Sequence, residues 1–330
     1  MKNLLVTGGY GFIGFNFLQY VKREYPDVKL YCIDSLTYAG QAWAALKSEW
    51  CLANDVKIGV FSICEKTSVE EWITAYHIDT IVNFAAESHV DNSISGPEIF
   101  FESNVKGVLT LLELVRKYDL RFHQIGTDEV YGSVDPEKDN VTENFPIHTS
   151  SPYSASKASA DFLTLSYFTT YGCKVTVSRC SNNFGPWQHP EKLIPKTIIN
   201  ALNGENIPIY GDGRQRRFWI HVDDHNKAIM RILEYGKFGE VYNIAPAKEN
   251  LRRNIDIVNF IVDHVAKFYG SGSLIKFVND RPGHDLCYYL NGEKLRMNCF
   301  YSPKARDIFI GDLIDTITWY KYHPLNKEAK

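Results

Sequence analysis

A chain of 330 residues, 45% hydrophobic and 23% charged with a net charge of −3, can build a large core and carries no positive excess to draw it onto nucleic acid or an anionic membrane. Its seven cysteines are odd in number and include no CxxC pair, so buried, reduced thiols of a cytoplasmic protein are expected rather than a disulfide framework. No apolar run approaches the ~20 residues of a membrane span, and no basic start leads into a long apolar stretch, so neither an anchor nor a leader peptide is expected.

Taken in chain order, short apolar segments alternate with longer amphipathic ones. Strands are predicted at residues 3–7, 29–34, 57–62, 80–85, 121–126 and 174–179, with helices near 12–24, 69–76, 97–118 and 153–171. This is the α/β pattern of a doubly wound, Rossmann-type parallel sheet covered on both faces. Beyond Ser181 the rhythm loosens: Pro186, Pro190, Pro195 and Pro208 interrupt it, and Gly211-Asp212-Gly213 marks a turn. A helix is predicted to begin near Asp223, a strand near Val241, a helix near Ile255 and a last helix over 312–320, just after Gly311. Residues 1–181 read as a dinucleotide-binding domain and 182–330 as a smaller C-terminal substrate-binding lobe, with the chain crossing back at least once.

The first strand runs into Gly8-Gly9-Tyr10-Gly11-Phe12-Ile13-Gly14 and then a helix. A GxxGxxG spacing between strand and helix provides a tight turn, close backbone approach to a pyrophosphate, and close helix–strand packing. The helix N-terminus adds free N–H groups and the positive end of its dipole. Asp34 ends the second strand, twenty residues after Gly14. A carboxylate there accepts hydrogen bonds from adenosine ribose hydroxyls and repels a 2′-phosphate, which favours NAD over NADP.

Tyr153-Ser154-Ala155-Ser156-Lys157 places a phenol and an ammonium at i and i+4, on one helix face. The ammonium is expected to lower the tyrosine pKa so that Tyr153 can take a proton from an alcohol. Upstream, the fifth strand delivers Thr127-Asp128-Glu129 to the carboxyl end of the sheet, where ligands of open α/β folds bind. Thr127 can bond the same alcohol oxygen, and two adjacent carboxyls in a cleft can titrate apart into an acid and a base. In isolation Asp128-Glu129 reads first as a solvated, charged strand end.

At these residues the chain resembles the nucleotide-hexose 4,6-dehydratases of the extended short-chain dehydrogenase/reductase superfamily. Thr127-Asp128-Glu129-Val130-Tyr131-Gly132 is similar to their signature, and the likeness continues through residues 84–91, 153–157, 179–186, 190–195, 209–215 and 280–285 in family order. The blocks at 181–183 and 281–284 look more like the dTDP-type enzymes than the UDP-type ones. The resemblance implies a redox-neutral lyase reaction on a nucleotide-glucose, most specifically dTDP-glucose. Tyr153, with Thr127 and Lys157, would serve oxidation at C4 by NAD. Glu129 would then remove the C5 proton while Asp128 protonates the departing C6 hydroxyl, and hydride would return to C6.

By the same matching, NAD would lie against Gly8, Gly11, Phe12, Ile13, Gly14, Asp34, Ser35, Leu36, Thr37, Ser62, Ile63, Phe84, Ala85, Ala86, Ser88, Asn104, Tyr153, Lys157 and Asn183. The nucleotide sugar would meet Ser88, Thr127, Asn182, Lys192, Leu193, Pro208, Ile209, Tyr210, Arg217, Asn243, Arg281 and His284. Arg217 and Arg281 suit a diphosphate, because a guanidinium fork matches phosphate oxygens. No metal is implied. Relatives pair the helices near 97–118 and 153–171 into a homodimer, so one is expected here. Three departures stand out: Ser62 replaces an Asp that reads the adenine amine, Phe218 replaces a polar residue and is expected to alter the pocket near the diphosphate, and Gly126 replaces a small hydroxyl residue. The competing readings are a UDP-glucose 4,6-dehydratase, an NAD-dependent nucleotide-sugar epimerase, which needs the Tyr and Lys but not the acid–base pair, and a non-catalytic NAD-binding scaffold.

Overall fold

Leu4, Leu5 and Val6 alternate across a strand and all three are buried, so this segment belongs in the middle of a sheet covered on both sides. The computed structural model describes residues 1–246, 250–280, 284–303 and 306–323. Its strands are β1 (Asn3–Thr7), β2 (Lys29–Asp34), β3 (Lys57–Val60), β4 (Thr80–Asn83), β5 (Arg121–Thr127), β6 (Lys174–Cys180), β7 (Asn182–Phe184), β8 (Ile207–Tyr210), β9 (Arg216–His221), β10 (Val241–Ile244), β11 (Leu251–Arg253) and β12 (Ile275–Val278). Seven of them form one sheet in the order β10-β6-β5-β4-β1-β2-β3, with every pairing parallel. Leu4 and Val6 pack into the core on one face of this sheet and Leu5 into the core on the other. Fully burying each such side chain contributes about 1.5–3 kcal/mol.

The register decides where the chemistry can be. Thr7 lies opposite Ile33 and Asn83, Asn83 opposite Gln124, and Thr127 opposite Cys180. β1, β2 and β4 therefore end within a residue of one another while β5 and β6 run three residues further, and Gly8, Ser35, Phe84, Asp128 and Ser181 all leave the sheet along one edge. The six strands expected in the first half are present, each within two residues of its expected end. The helix Phe12–Glu24 has the expected bounds.

Two helices differ from expectation. The segment expected as one helix over 97–118 is one continuous helical run, Glu98–Phe101 and Gly107–Tyr118, with a wide π turn over Glu102–Lys106 inside it. The π turn carries Asn104 inward, where it is buried. The last helix spans Arg306–Tyr322, so Gly311 lies inside it rather than before it. An interior glycine costs about 1 kcal/mol. The buried row Phe309, Leu313, Ile317 and Tyr320, at helical spacing, outweighs that cost.

The later part of the chain adds an antiparallel and parallel sheet, β11-β9-β7, and a parallel pair, β12-β8. Phe184, Ile194, Ile198, Trp219, Ile257, Ile261 and Leu313 pack between these strands and the helices Leu193–Asn203, Asn254–Tyr269 and Arg306–Tyr322. β10 departs from this region and pairs with β6 at the edge of the large sheet. The helix Val222–Tyr235 goes with it, and Ile229, Ile232 and Leu233 share a core with Phe17 and Val21. The two parts of the chain are thus interlaced, and a cleft opens between them at the carboxyl edge of the sheet.

Candidate active site

The first wall of the site is the glycine-rich loop. Gly8 has φ +68°, and a Cβ there would lie 2.6 Å from the Ala85 backbone nitrogen. A Cβ on Gly14 would lie 2.3 Å from the Gly8 carbonyl oxygen. Both positions therefore require glycine. Gly11 caps the helix Phe12–Glu24 without a side chain, which leaves its N-terminal N–H groups for a ligand. A groove of about 530 Å³ follows, lined by the expected Gly8, Gly11, Asp34, Ser35, Thr37, Ser62, Ile63, Phe84, Ala85 and Ala86, together with Ile33, Gly40, Phe61, Glu87 and Ser103. A strand-end glycine cradle, a helix N-terminus and an acidic residue in one groove fit a dinucleotide.

The other residues expected at the cofactor stand behind this wall or outside it. Phe12, Ile13 and Gly14 form the first turn of the helix. Leu36 turns the loop at φ +50° and donates its N–H to Asp34 Oδ1 at 2.8 Å. Asn104 does not line the groove: its amide accepts from Glu87 N–H at 2.9 Å and donates to the Glu87 carbonyl at 3.0 Å and to Ser156 Oγ at 2.9 Å. It pins the loop that carries Ala85, Ala86 and Ser88. Ser62 is in the wall, with its hydroxyl accepting from Cys64 N–H at 3.1 Å.

The second wall is built on β5 and the helix Pro152–Tyr171. Ser151 opens that helix with a capping box, exchanging hydrogen bonds with Ser154 at 3.1 Å, and Pro152 occupies the first turn. This fixes the turn bearing Tyr153, and Lys157 follows on the same face. Both are buried. A polar chain crosses the strand ends: Thr7 Oγ1 donates to Asn83 Oδ1 (2.5 Å), Asn83 Nδ2 to Gln124 Oε1 (2.8 Å), and Gln124 Nε2 to the Ile125 carbonyl (3.1 Å). Lys157 Nζ donates to that same carbonyl at 2.5 Å. Asp161, one turn on, sits beside Lys157 and forms a buried ion pair with Arg179 at 2.8 Å.

The electrostatics at Tyr153 run against the expectation from the sequence. Burial pushes the phenol well above its ordinary pKa, and the charges of Glu129, Cys180 and Asp128 push the same way; only the hydrogen bond with Thr127 opposes them. The Lys157 ammonium is turned to the Ile125 carbonyl and answered by Asp161. Burial, then the neighbouring Glu129, raises Asp128 to about 8, against the pull of Arg217. Asp128 Oδ2 is buried and has no hydrogen-bond partner among the described residues, whereas Glu129 opens onto the cleft.

That cleft, of about 1440 Å³, gathers the expected Ser88, Glu129, Asn182, Lys192, Leu193, Pro208, Ile209, Tyr210, Arg217 and His284. Asn183, expected at the cofactor, lines this cleft as well and is held by His225 at 3.0 Å and the Ser181 carbonyl at 3.0 Å. Arg217 is buried against the Tyr288 ring at 4.1 Å and donates to the Asp285 carbonyl at 2.9 Å. His284 pairs with Asp280 at 2.6 Å.

With the site assembled, comparison with known proteins is decisive. The family model described as GDP-mannose 4,6 dehydratase matches residues 5–306. The dTDP-glucose 4,6-dehydratase of Mycobacterium tuberculosis is 41% identical over 319 residues, covering 96% of this chain and 93% of the relative. The chain belongs to the dTDP-glucose 4,6-dehydratase family. Two solved members superpose on it end to end. One is from Bacillus anthracis, in complex with NAD, with a TM-score of 0.88, 41% identity and full coverage of both chains. The other is from Streptomyces venezuelae, with NAD and a dTDP ligand bound, with a TM-score of 0.90, 38% identity and full coverage of both chains.

Within this dTDP-glucose 4,6-dehydratase family member, three expectations need correction or restriction. Asn243 does not reach the cleft. It is fully buried on β10, accepting from the Tyr131 hydroxyl at 2.9 Å and donating to the Val141 carbonyl at 3.0 Å, so its amide is consumed by the core. Phe218 faces away from the cleft, packing on Tyr289 among Val130, Val134 and Leu290, so it does not shape the diphosphate region. Arg281 lies outside the described residues. Gly126 is explained by space: a Cβ there would meet the Ser178 carbonyl oxygen at 2.6 Å. Among the residues that sequence reasoning passed over, Glu87, Gln188, Glu191 and Trp219 line the two cavities. The motif blocks that contain Glu87 and Glu191 were the available signal. No described helix is long and apolar enough to cross a membrane.

Proposed function

We propose that this protein converts dTDP-glucose into dTDP-4-keto-6-deoxyglucose, with NAD held in the glycine-rich groove. The observation that carries the reading is the pair Asp128 and Glu129: one carboxyl sealed and held protonated, its neighbour open to the substrate cleft, both beside Tyr153. Bound NAD would supply the oxidation at C4 by taking hydride from that carbon, would give the same hydride back to C6 once water has left, and would bring a positive charge while oxidised.

The chain's own groups carry the protons. Tyr153 accepts the C4 hydroxyl proton, with Thr127 bonded to the same oxygen and Lys157 holding the nearby ribose. A C4 ketone acidifies the C5 hydrogen, which Glu129 removes. Asp128 gives its proton to the C6 hydroxyl, so that water leaves. Glu129 returns a proton to C5 at the end. Arg217 and Arg281 take the diphosphate, and Asn182, Lys192, Leu193, Pro208, Ile209 and Tyr210 take the rest of the nucleotide. In this reading residues 1–181 hold the cofactor, and residues 182–330, with β10 returned to the sheet, hold the nucleotide sugar.

Uracil lacks one methyl of thymine, a difference of only ~1–3 kcal/mol in a pocket, so the test is kcat/KM for dTDP-glucose and UDP-glucose side by side. A clear preference for dTDP-glucose supports the reading; an equal or reversed preference makes this a UDP-type enzyme. The same reading includes a homodimer. Ile99, Phe101 and Leu109 on one helical run and Phe162, Phe168 and Tyr171 on the helix Pro152–Tyr171 are exposed apolar side chains that a second copy would cover. It also places the protein in the cytoplasm, where buried thiols stay reduced.

A further inference from the structure

Lys47, in the helix Ala44–Ala53, is fully buried. An ammonium without water is costly unless the fold returns its hydrogen bonds and answers its charge. Lys47 Nζ donates to the Tyr10 carbonyl oxygen at 2.6 Å and lies 5.7 and 5.8 Å from the rings of Phe15 and Trp43. Tyr10 stands inside the glycine-rich loop. Its N–H donates to Asp34 Oδ2 at 2.9 Å, while the N–H of Gly11 donates back to the Gly8 carbonyl oxygen at 3.1 Å and so closes the loop. The backbone of Tyr10 thus stands between an ammonium and a carboxylate, its carbonyl oxygen toward the cation and its N–H toward the anion.

On the reading that this groove takes NAD, we propose that Lys47 is a positioning residue of the cofactor site. It is the buried counter-charge that fixes the Tyr10 backbone and, through its N–H, keeps the Asp34 carboxylate in place and so selective for NAD over its 2′-phosphorylated form. Lys47 touches neither groove nor cleft. It acts through the loop.

The titratable groups facing Lys47 are Asp34, Cys32 and Cys51, with Tyr10 against the same cluster and His189 within reach of its charge; Glu87 in turn faces Asp34. Burial holds Tyr10 at about 12, Cys51 at about 11 and Cys32 well above its usual value, so these stay neutral. Burial also raises Asp34 and Glu87, and lowers His189. It brings Lys47 down to about 8, so the lysine's charge is present below that pH and lost above it.

The test is calorimetric titration of the whole protein, stripped of cofactor, with NAD and with NADP. The proteins are the unaltered chain, Lys47→Met, Lys47→Arg, Asp34→Asn and the Lys47→Met/Asp34→Asn double variant. Lys47→Met should weaken NAD binding by roughly tenfold, the order of one charge-assisted hydrogen bond, and narrow the NAD/NADP ratio. Lys47→Arg should restore part of both. In the Asp34→Asn background, Lys47→Met should leave the ratio unchanged. NAD affinity of the unaltered chain should fall as pH rises through about 8, and this limb should be missing from Lys47→Met. Unchanged affinity and ratio in Lys47→Met, or a limb that persists in it, would overturn the proposal. Should Lys47→Met fail to fold, unchanged NAD affinity and NAD/NADP ratio in Lys47→Gln would overturn it equally. Absence of NAD binding by the unaltered chain would instead sink the cofactor reading on which the proposal rests.

Discussion

Replacing Asp128 with Asn keeps the shape of the side chain and removes the proton it is held ready to give. In the folded chain Asp128 is raised to about 8 by burial and by Glu129, so the neutral acid is the main form at neutral pH. The sign follows directly. A group active when protonated works below its pKa, so kcat/KM for dehydration should be level from about pH 6 to 7 and fall about tenfold per unit above about 8. Asp128→Asn should lower dehydration by about 10²–10⁴-fold, the usual contribution of a general acid, and the alkaline limb should lose its dependence on this group. The assay is initial-rate mass spectrometry of water loss from dTDP-glucose across pH, alongside circular dichroism to confirm folding. Dehydration within a few-fold of the parent, or the same alkaline limb in the variant, would refute the assignment of Asp128 as the acid.

Tyr153→Phe should lower turnover by about 10²-fold or more while leaving NAD affinity by calorimetry within a few-fold, because in the proposed reaction its phenol takes the first proton. Gly8→Ala, with φ +68° and a Cβ 2.6 Å from the Ala85 nitrogen, should lose NAD binding and lower the Tm in a thermal melt. Phe162→Glu, on an exposed apolar face of the helix Pro152–Tyr171, should shift light scattering from a dimer mass to a monomer mass; a parent that is already monomeric would contradict the dimer.

The parts of the fold legible in the sequence were those with strong periodicity or a steric demand. β1, the glycine loop and the helix Phe12–Glu24 could be read because alternation, glycine spacing and amphipathicity agree over a short span. The π turn at Glu102–Lys106 left no such trace, since one extra residue per turn changes where Asn104 points without changing composition. Lys47 was invisible for a related reason. A lysine in Ala-Ala-Leu-Lys-Ser-Glu reads as a solvated charge, and only the fold brings the Tyr10 carbonyl over it. Asn243 shows the opposite error: its motif position was read as contact, but the return of β10 to the large sheet buries it between Tyr131 and Val141. The rise in the Tyr153 pKa was equally beyond sequence reasoning. Spacing puts Lys157 on the right face but cannot say that Ile125 and Asp161 occupy its charge.

The central claim is that a carboxylate here removes a proton next to a ketone and water departs, which separates this chain from an epimerase with the same tyrosine and lysine. The most direct measurement is incubation of the protein and NAD with dTDP-glucose in heavy water, followed by mass spectrometry and proton NMR of the sugar. The expected product is lighter by one water, with a methyl group at C6 and solvent deuterium at C5. A C4 epimer of unchanged composition, with hydrogen retained at C5, would contradict it.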